Sequence, residues 1–100
     1  MVELEDDRLD AVFRALADST RRTMLQLLAH GECSVGELGA PFQMSFAGAS
    51  KHVKALEHAG LVSRSVVGRT HVCRLEAGPM AQARAWLRSY EVRLQRSPRA

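Results

Sequence analysis

Ser45-Phe46-Ala47-Gly48-Ala49-Ser50-Lys51-His52-Val53-Lys54-Ala55-Leu56-Glu57-His58-Ala59-Gly60 is the stretch that decides the fold, because its two faces follow different rules. Ser45 is a good N-cap, Phe46, Ala49, Val53 and Leu56 recur at helical spacing, and Gly60 can take the left-handed conformation that closes a helix. This apolar stripe, Phe46 included, is expected to anchor the helix in the core and to stay off any ligand. The other face carries Ala47, Gly48, Ser50, Lys51 and Lys54, small, polar or basic, with no carboxylate before Glu57. A helix that meets solvent alone ordinarily mixes both signs.

Downstream, the period changes from helical to two. Leu61 to Val67, then Gly68-Arg69, then Thr70 to Leu75 predict a β-hairpin with Gly68 as turn residue and a basic tip. After Gly78-Pro79 a last helix carries Ala83, Trp86, Leu87, Tyr90 and Leu94 along one stripe. Upstream, Leu9, Val12, Phe13 and Leu16 mark a first helix. Asp18-Ser19-Thr20 caps a second, bearing Met24, Leu25, Leu27 and Leu28 and ending at His30-Gly31. A short third helix runs from Ser34 to about Ala40, with Ser34 and Glu37 as a capping box and Pro41 as its stop. The expected architecture is mainly α (α+β), in the order α-α-α-α-β-β-α: a winged helix-turn-helix with a two-stranded hairpin as wing. Residues 1–100 form one domain in this reading, ordered over about 8–95, with residues 96–100 a frayed tail.

The chain has 100 residues, 46% hydrophobic and 25% charged, and a net charge of +3. That is enough for one small core. No stretch approaches the roughly 18 apolar residues of a membrane span, and the acidic start, Met1-Val2-Glu3-Leu4-Glu5-Asp6-Asp7, is unlike a signal peptide, so a cytoplasmic protein without membrane contact is expected. The two cysteines, Cys33 and Cys73, fit a reducing compartment. Charge is unevenly placed: residues 1–42 hold 8 acids and 4 bases, whereas residues 43–75 hold 5 bases and the single acid Glu57. His52, His58 and His71 add to that basic middle, which points to a polyanionic partner.

Double-stranded DNA suits this constellation. Small Ala47 and Gly48 near a helix start allow close approach in a major groove, where Ser45, Ser50, Lys51 and Lys54 can reach phosphates or base edges. Arg69 at the wing tip can reach the adjacent minor groove or its phosphates, with Arg64 and His71 as flanking donors. His52 either contacts a phosphate or packs within the protein. Arg21 and Arg22 lie in the first turn of the second helix, the unfavourable end for a cation, so a carboxylate is expected for one and a phosphate for the other; Arg22 is therefore carried with the candidate DNA contacts.

The runs Phe13-Arg14-Ala15-Leu16-Ala17-Asp18-Ser19-Thr20-Arg21-Arg22, Pro41-Phe42-Gln43-Met44-Ser45, Ala49-Ser50-Lys51-His52-Val53-Lys54-Ala55-Leu56-Glu57-His58-Ala59-Gly60-Leu61-Val62 and Gly68-Arg69 resemble the ArsR-type (ArsR/SmtB) family of bacterial winged-helix repressors over residues 9 to 95. The resemblance implies a homodimeric transcriptional regulator, usually a repressor that often binds its own or a neighbouring promoter. It also implies Ser45 to Leu56 as recognition helix, Val66 to His71 as wing, and the first and last helices as dimer interface. Leu9, Val12, Phe13, Trp86, Leu87, Tyr90 and Leu94 are the interface candidates. The pattern departs from the family's metal sensors. Where arsenic and cadmium sensors carry C-x-C, this chain has Ser34 and Gly36, and where zinc sensors place Asp and His on the last helix it has only Glu91. No metal or other cofactor is expected.

Other function classes fare less well. No H-E-x-x-H, G-x-S-x-G or P-loop pattern supports an enzyme. A winged helix serving only as a protein-interaction module should show acids or apolar groups where Lys51 and Lys54 stand. A thiol- or metal-responsive sensor built on Cys33 and Cys73 is a further alternative, against which a Cys in an apolar strand pattern usually serves as a small buried hydrophobe.

Overall fold

The computed structural model describes the backbone of residues 2–96 and the side chains of residues 7–95; the tail expected to fray over 96–100 falls outside the side chains described. In chain order the elements are α1 (Val2–Leu16), α2 (Ser19–Ala29), β1 (Cys33–Ser34), α3 (Val35–Gly39), a 3-10 turn (Ala40–Phe42), α4 (Phe46–His58), β2 (Val62–Val67), β3 (Thr70–Leu75) and α5 (Gly78–Arg96). The expected helices and hairpin are present. The additional element is β1, two residues long, which makes the sheet three-stranded in the order β1-β3-β2.

Local chemistry explains most boundaries. Asp18 accepts the Arg21 backbone N–H at 3.0 Å and starts α2. Ser34 and Glu37 form the reciprocal capping box, with N–H to oxygen distances of 3.0 and 2.8 Å. The α-helix that follows stops at Gly39, before Pro41. Pro41 itself is accommodated inside the 3-10 turn, since a first-turn position has no use for the N–H that proline lacks. Gln43, at φ +55°, then reverses the chain into the Ser45 cap of α4. At the hairpin the loop is Gly68-Arg69, with Gly68 at φ +63° and Arg69 at negative φ, the pattern of a type II′ turn that matches strand twist.

The core gathers one stripe from each of α1 to α4: Val12 and Ala15, Met24 and Leu28, Val35 and Leu38, Ala49, Val53 and Leu56, then Leu61, Val62 and Cys73 at the root of the sheet. Val12 is 1% exposed, so it belongs to this core and not to a surface available for dimerisation, whereas Leu9 and Phe13 lie half-buried on its outer side. The corner between α3 and α4 is tight. A Cβ at Gly39 would stand 2.8 Å from the Ala49 Cβ, so only glycine lets the two helices approach this closely. Cys33 and Cys73 are direct register partners across β1 and β3, with Cys73 fully buried.

The molecule is long for its mass. Its Cα radius of gyration is 16.1 Å and its long axis 58 Å, against a radius of about 13 Å for a compact chain of this size. A 19-residue α5 accounts for much of the excess, since among its described residues the buried one, Ala83, lies in its first half. None of the helices among the described residues is long and apolar enough to cross a membrane.

Candidate nucleic-acid interface

The core stripe of α4 turns the opposite face outward. Ala47, Lys51 and Lys54 are exposed one above another at helical spacing, and among the described residues neither ammonium has an ion-pair partner. Ser45 is exposed beside them, with its hydroxyl oxygen accepting the Gly48 N–H at 3.1 Å. Gly48 is half-buried, and a Cβ there would meet only ordinary contacts, so its smallness is not required by packing. Arg69 is exposed at the hairpin tip. The arrangement therefore presents two basic features on separate elements, the α4 face and the wing tip.

Three other candidates are turned toward the protein instead. Arg64 donates to Glu57 at 2.9 Å and to Ser50 Oγ at 3.4 Å, and its Nη1 stands 3.4 Å from His71 Nδ1. Its side chain is only 12% exposed. Arg64, expected as a flanking donor at the wing, is engaged within the protein: it fastens β2 to α4, with Ser50 and Glu57 spaced i and i+7 along one helix edge. His71 completes the clamp and meets the Phe46 ring edge-on, with centroids 5.7 Å apart.

His52 leans to the other side of α4, where its Nδ1 lies 3.8 Å from Asp18 Oδ2. Of the two roles open for it, this is packing within the protein. The Arg21 backbone N–H, above all, lowers the Asp18 carboxyl from its ordinary value; burial opposes this, and the charges of Arg21 and His52 assist it. The partners expected for Arg21 and Arg22 also differ from those found. Arg21 donates to the carbonyls of Ala15 at 2.8 Å and Arg14 at 3.0 Å, and Arg22 to that of Leu16 at 2.6 Å. These are carbonyls at the C-terminal, negative end of α1, which resolves the apparent misplacement of two cations at the start of α2.

Phe46 is the residue that the sequence reading misplaced. It is 54% exposed and absent from the core, although Ala49, Val53 and Leu56 of the same stripe are buried. The first turn of α4 overhangs the core edge, so helical spacing alone could not reveal it.

On α5, Trp86, Leu87, Tyr90 and Leu94 are exposed, Leu94 by 75%. Phe13 of α1 packs edge-on against Trp86 at 5.5 Å, and Trp86 against Tyr90 at 4.9 Å, forming an aromatic ladder that faces outward across both terminal helices. Burial raises the Cys33 thiol first, with Glu37 adding to it. Cys73 is likewise raised chiefly by burial, against the opposing charge of Arg64. No group of three or more His, Cys, Asp or Glu suited to a metal occurs among the described residues.

A helix-turn-helix domain model matches residues 16–64, from the end of α1 into β2. The HTH-type transcriptional regulator Rv2034 of Mycobacterium tuberculosis is 39% identical over 75 residues, which cover 75% of this chain and 70% of that protein. A crystal structure of an ArsR family transcriptional regulator, RHA00566, superposes with a TM-score of 0.87 at 33% identity, covering 93% of this chain and 96% of that one. The chain belongs to the ArsR family of winged helix-turn-helix transcriptional regulators. A second ArsR-type structure, the homodimeric winged helix-turn-helix DNA-binding domain Mb0332 of Mycobacterium bovis, superposes with a TM-score of 0.68 at 27% identity over 94% of this chain and 89% of that one. The chain is therefore a DNA-binding transcriptional regulator and not an enzyme.

Proposed function

We propose that the chain acts as a homodimeric repressor that sets α4 of each protomer into successive major grooves of a pseudo-palindromic operator, in its own or a neighbouring promoter. The observation that carries this reading is the exposed, carboxylate-free stripe Ala47, Lys51 and Lys54, framed by Arg69 at the wing tip. Lys51 and Lys54 neutralise phosphate or meet base edges, Ala47 and Gly48 let the helix backbone approach, and Arg69 tracks the neighbouring backbone or minor groove. The outward ladder of Trp86, Leu87, Tyr90 and Leu94 supports a second copy as its cover, because a monomer would leave it in water. Homodimerisation of the similar Mb0332 domain supports the same assembly. Two-fold symmetry then requires half-sites centred about 34 Å apart. Such a protein works in the cytoplasm, where the promoter is.

The test is a fluorescence-anisotropy titration on DNA from just upstream of the gene and on a scrambled duplex, at two salt concentrations. The expected result is preference for the upstream fragment, with affinity falling steeply as salt rises and about one unit less steeply for Lys51→Ala if that residue meets a phosphate. Equal, weak binding to both duplexes counts against the autoregulatory reading. Sedimentation of Leu87→Glu as a monomer, beside a dimeric wild type, checks the assembly.

A further inference from the structure

We propose that Phe46 is a specificity-determining residue that reads the 5-methyl group of a thymine in the major groove; this rests on the reading of α4 as the DNA-recognition helix. Three observations bring it about. Phe46 opens α4, and the N-terminal residues of a recognition helix are the ones that meet base edges. It is 54% exposed, a large apolar residue on an element otherwise polar or basic outside the core. It is also not loose: the edge-on contact with His71 fixes the ring between the first turn of α4 and the wing, and His71 is itself held near the Arg64–Glu57 clamp.

The surroundings select the chemistry of the partner. Val66, directly across from His71 in the β2-β3 ladder, is 60% exposed, so Phe46, His71 and Val66 continue one another from recognition helix to wing. Lys51 and Lys54 on α4 and Arg69 at the wing tip frame this strip with positive charge, which favours a nucleic-acid surface over an apolar protein partner. Within a major groove the apolar group on a base edge is the thymine methyl, and aromatic or aliphatic contact is how proteins read it. Phe46 has no hydrogen-bonding group, so it distinguishes thymine from cytosine and from uracil by that methyl alone. Ala47 and Gly48, following it, leave room for the ring to lie against the base edge.

The experiment uses duplexes selected from a random-sequence pool by the wild-type protein, each prepared with thymine and with thymine wholly replaced by deoxyuridine, a change that removes only methyl groups. Wild type, Phe46→Ala and Phe46→Leu are titrated on both, with circular-dichroism melts to verify folding. The expected result is binding by wild type about fourfold weaker for each contacted methyl removed, the value of one buried carbon of this size. Phe46→Ala should lose that discrimination and Phe46→Leu keep part of it. If wild type binds the two duplexes equally, or if Phe46→Ala discriminates as strongly as wild type, the methyl is not read by Phe46 and the proposal is overturned. If the selection returns no preferred sequence, the DNA-recognition reading itself fails, and this assignment with it.

Discussion

The Arg64 guanidinium and the Glu57 carboxylate meet at 2.9 Å across the seam between β2 and α4, with side chains 12% and 33% exposed. Removing one partner strands the other in a half-buried place, which costs about 1.5–3 kcal/mol for a charged hydrogen bond. Glu57→Gln and Arg64→Ala should each lower the urea midpoint, and the double variant should lose less than the two together. Strict additivity in that cycle would show that the residues do not stabilise each other. Both single variants should also bind DNA more weakly, because the wing is no longer held to α4.

Asp18 serves α2 as a cap and its charge is stabilised by the Arg21 N–H. Asp18→Ala should cost about 1 kcal/mol at neutral pH, while Asp18→Asn, itself a good cap, costs less. The carboxyl titrates lower when folded than its ordinary value of 3.8, so its charge-linked contribution is complete above 3.8 and disappears as pH falls through the folded value. Denaturation series on wild type and Asp18→Ala should therefore converge in acid. Divergence toward low pH would contradict the assignment.

Two glycines of α3 make a paired test. At Gly39 a Cβ collides with Ala49 at 2.8 Å, whereas at Gly36 the nearest atom is Ser34 Oγ at 3.9 Å. Gly39→Ala should destabilise by about 1–3 kcal/mol through overpacking. Gly36→Ala should be neutral or stabilising by up to about 1 kcal/mol, as expected for a helical position with open space. Gly39→Ala should melt below wild type while Gly36→Ala does not, and equal melting points would remove the close α3–α4 approach as a constraint.

The thiols differ in access more than in chemistry. Burial raises both, so reactive thiolate is scarce, but Cys33 is half-buried and Cys73 fully buried. Iodoacetamide at neutral pH followed by mass spectrometry should label Cys33 slowly and Cys73 only on unfolding. Prompt labelling of Cys73 would mean that the sheet opens readily at its root.

What could be read from residues alone was whatever is local. Ser45, Gly60 and Gly68 mark the ends of α4 and the hairpin turn by their own backbone chemistry, and Ser34 with Glu37 declares its capping box. The unread features all depend on a distant partner. Strand β1 exists because Cys33 and Ser34 pair with Cys73 and Val72, too short a run to carry a period of its own. Arg21 and Arg22 find carbonyls that arrive only when α1 ends beside α2. Val12 shares a helical stripe with Leu9 and Phe13, yet lies one side chain deeper, and Phe46 shares one with Val53, yet lies beyond the core edge. Among the proposed contacts, Lys51, Lys54 and Arg69 were foreseen as outward cations, while the inward turn of Arg64, Ser50 and His71 required the strands to be in place.

The division of α4 into a buried and an outward face has one more consequence. Ala47, Lys51 and Lys54 are exposed where Ala49, Val53 and Leu56 are buried, and exposed substitutions away from caps and clamps usually shift stability by less than about 0.5 kcal/mol. Substitutions on this outward face should therefore change binding with little change in stability, whereas the Arg64–Glu57 contact ties the two together. The outward face can be redrawn, by drift or by hand, while the scaffold beneath keeps its shape, so paralogues with different promoters can descend from one such domain without passing through unstable intermediates.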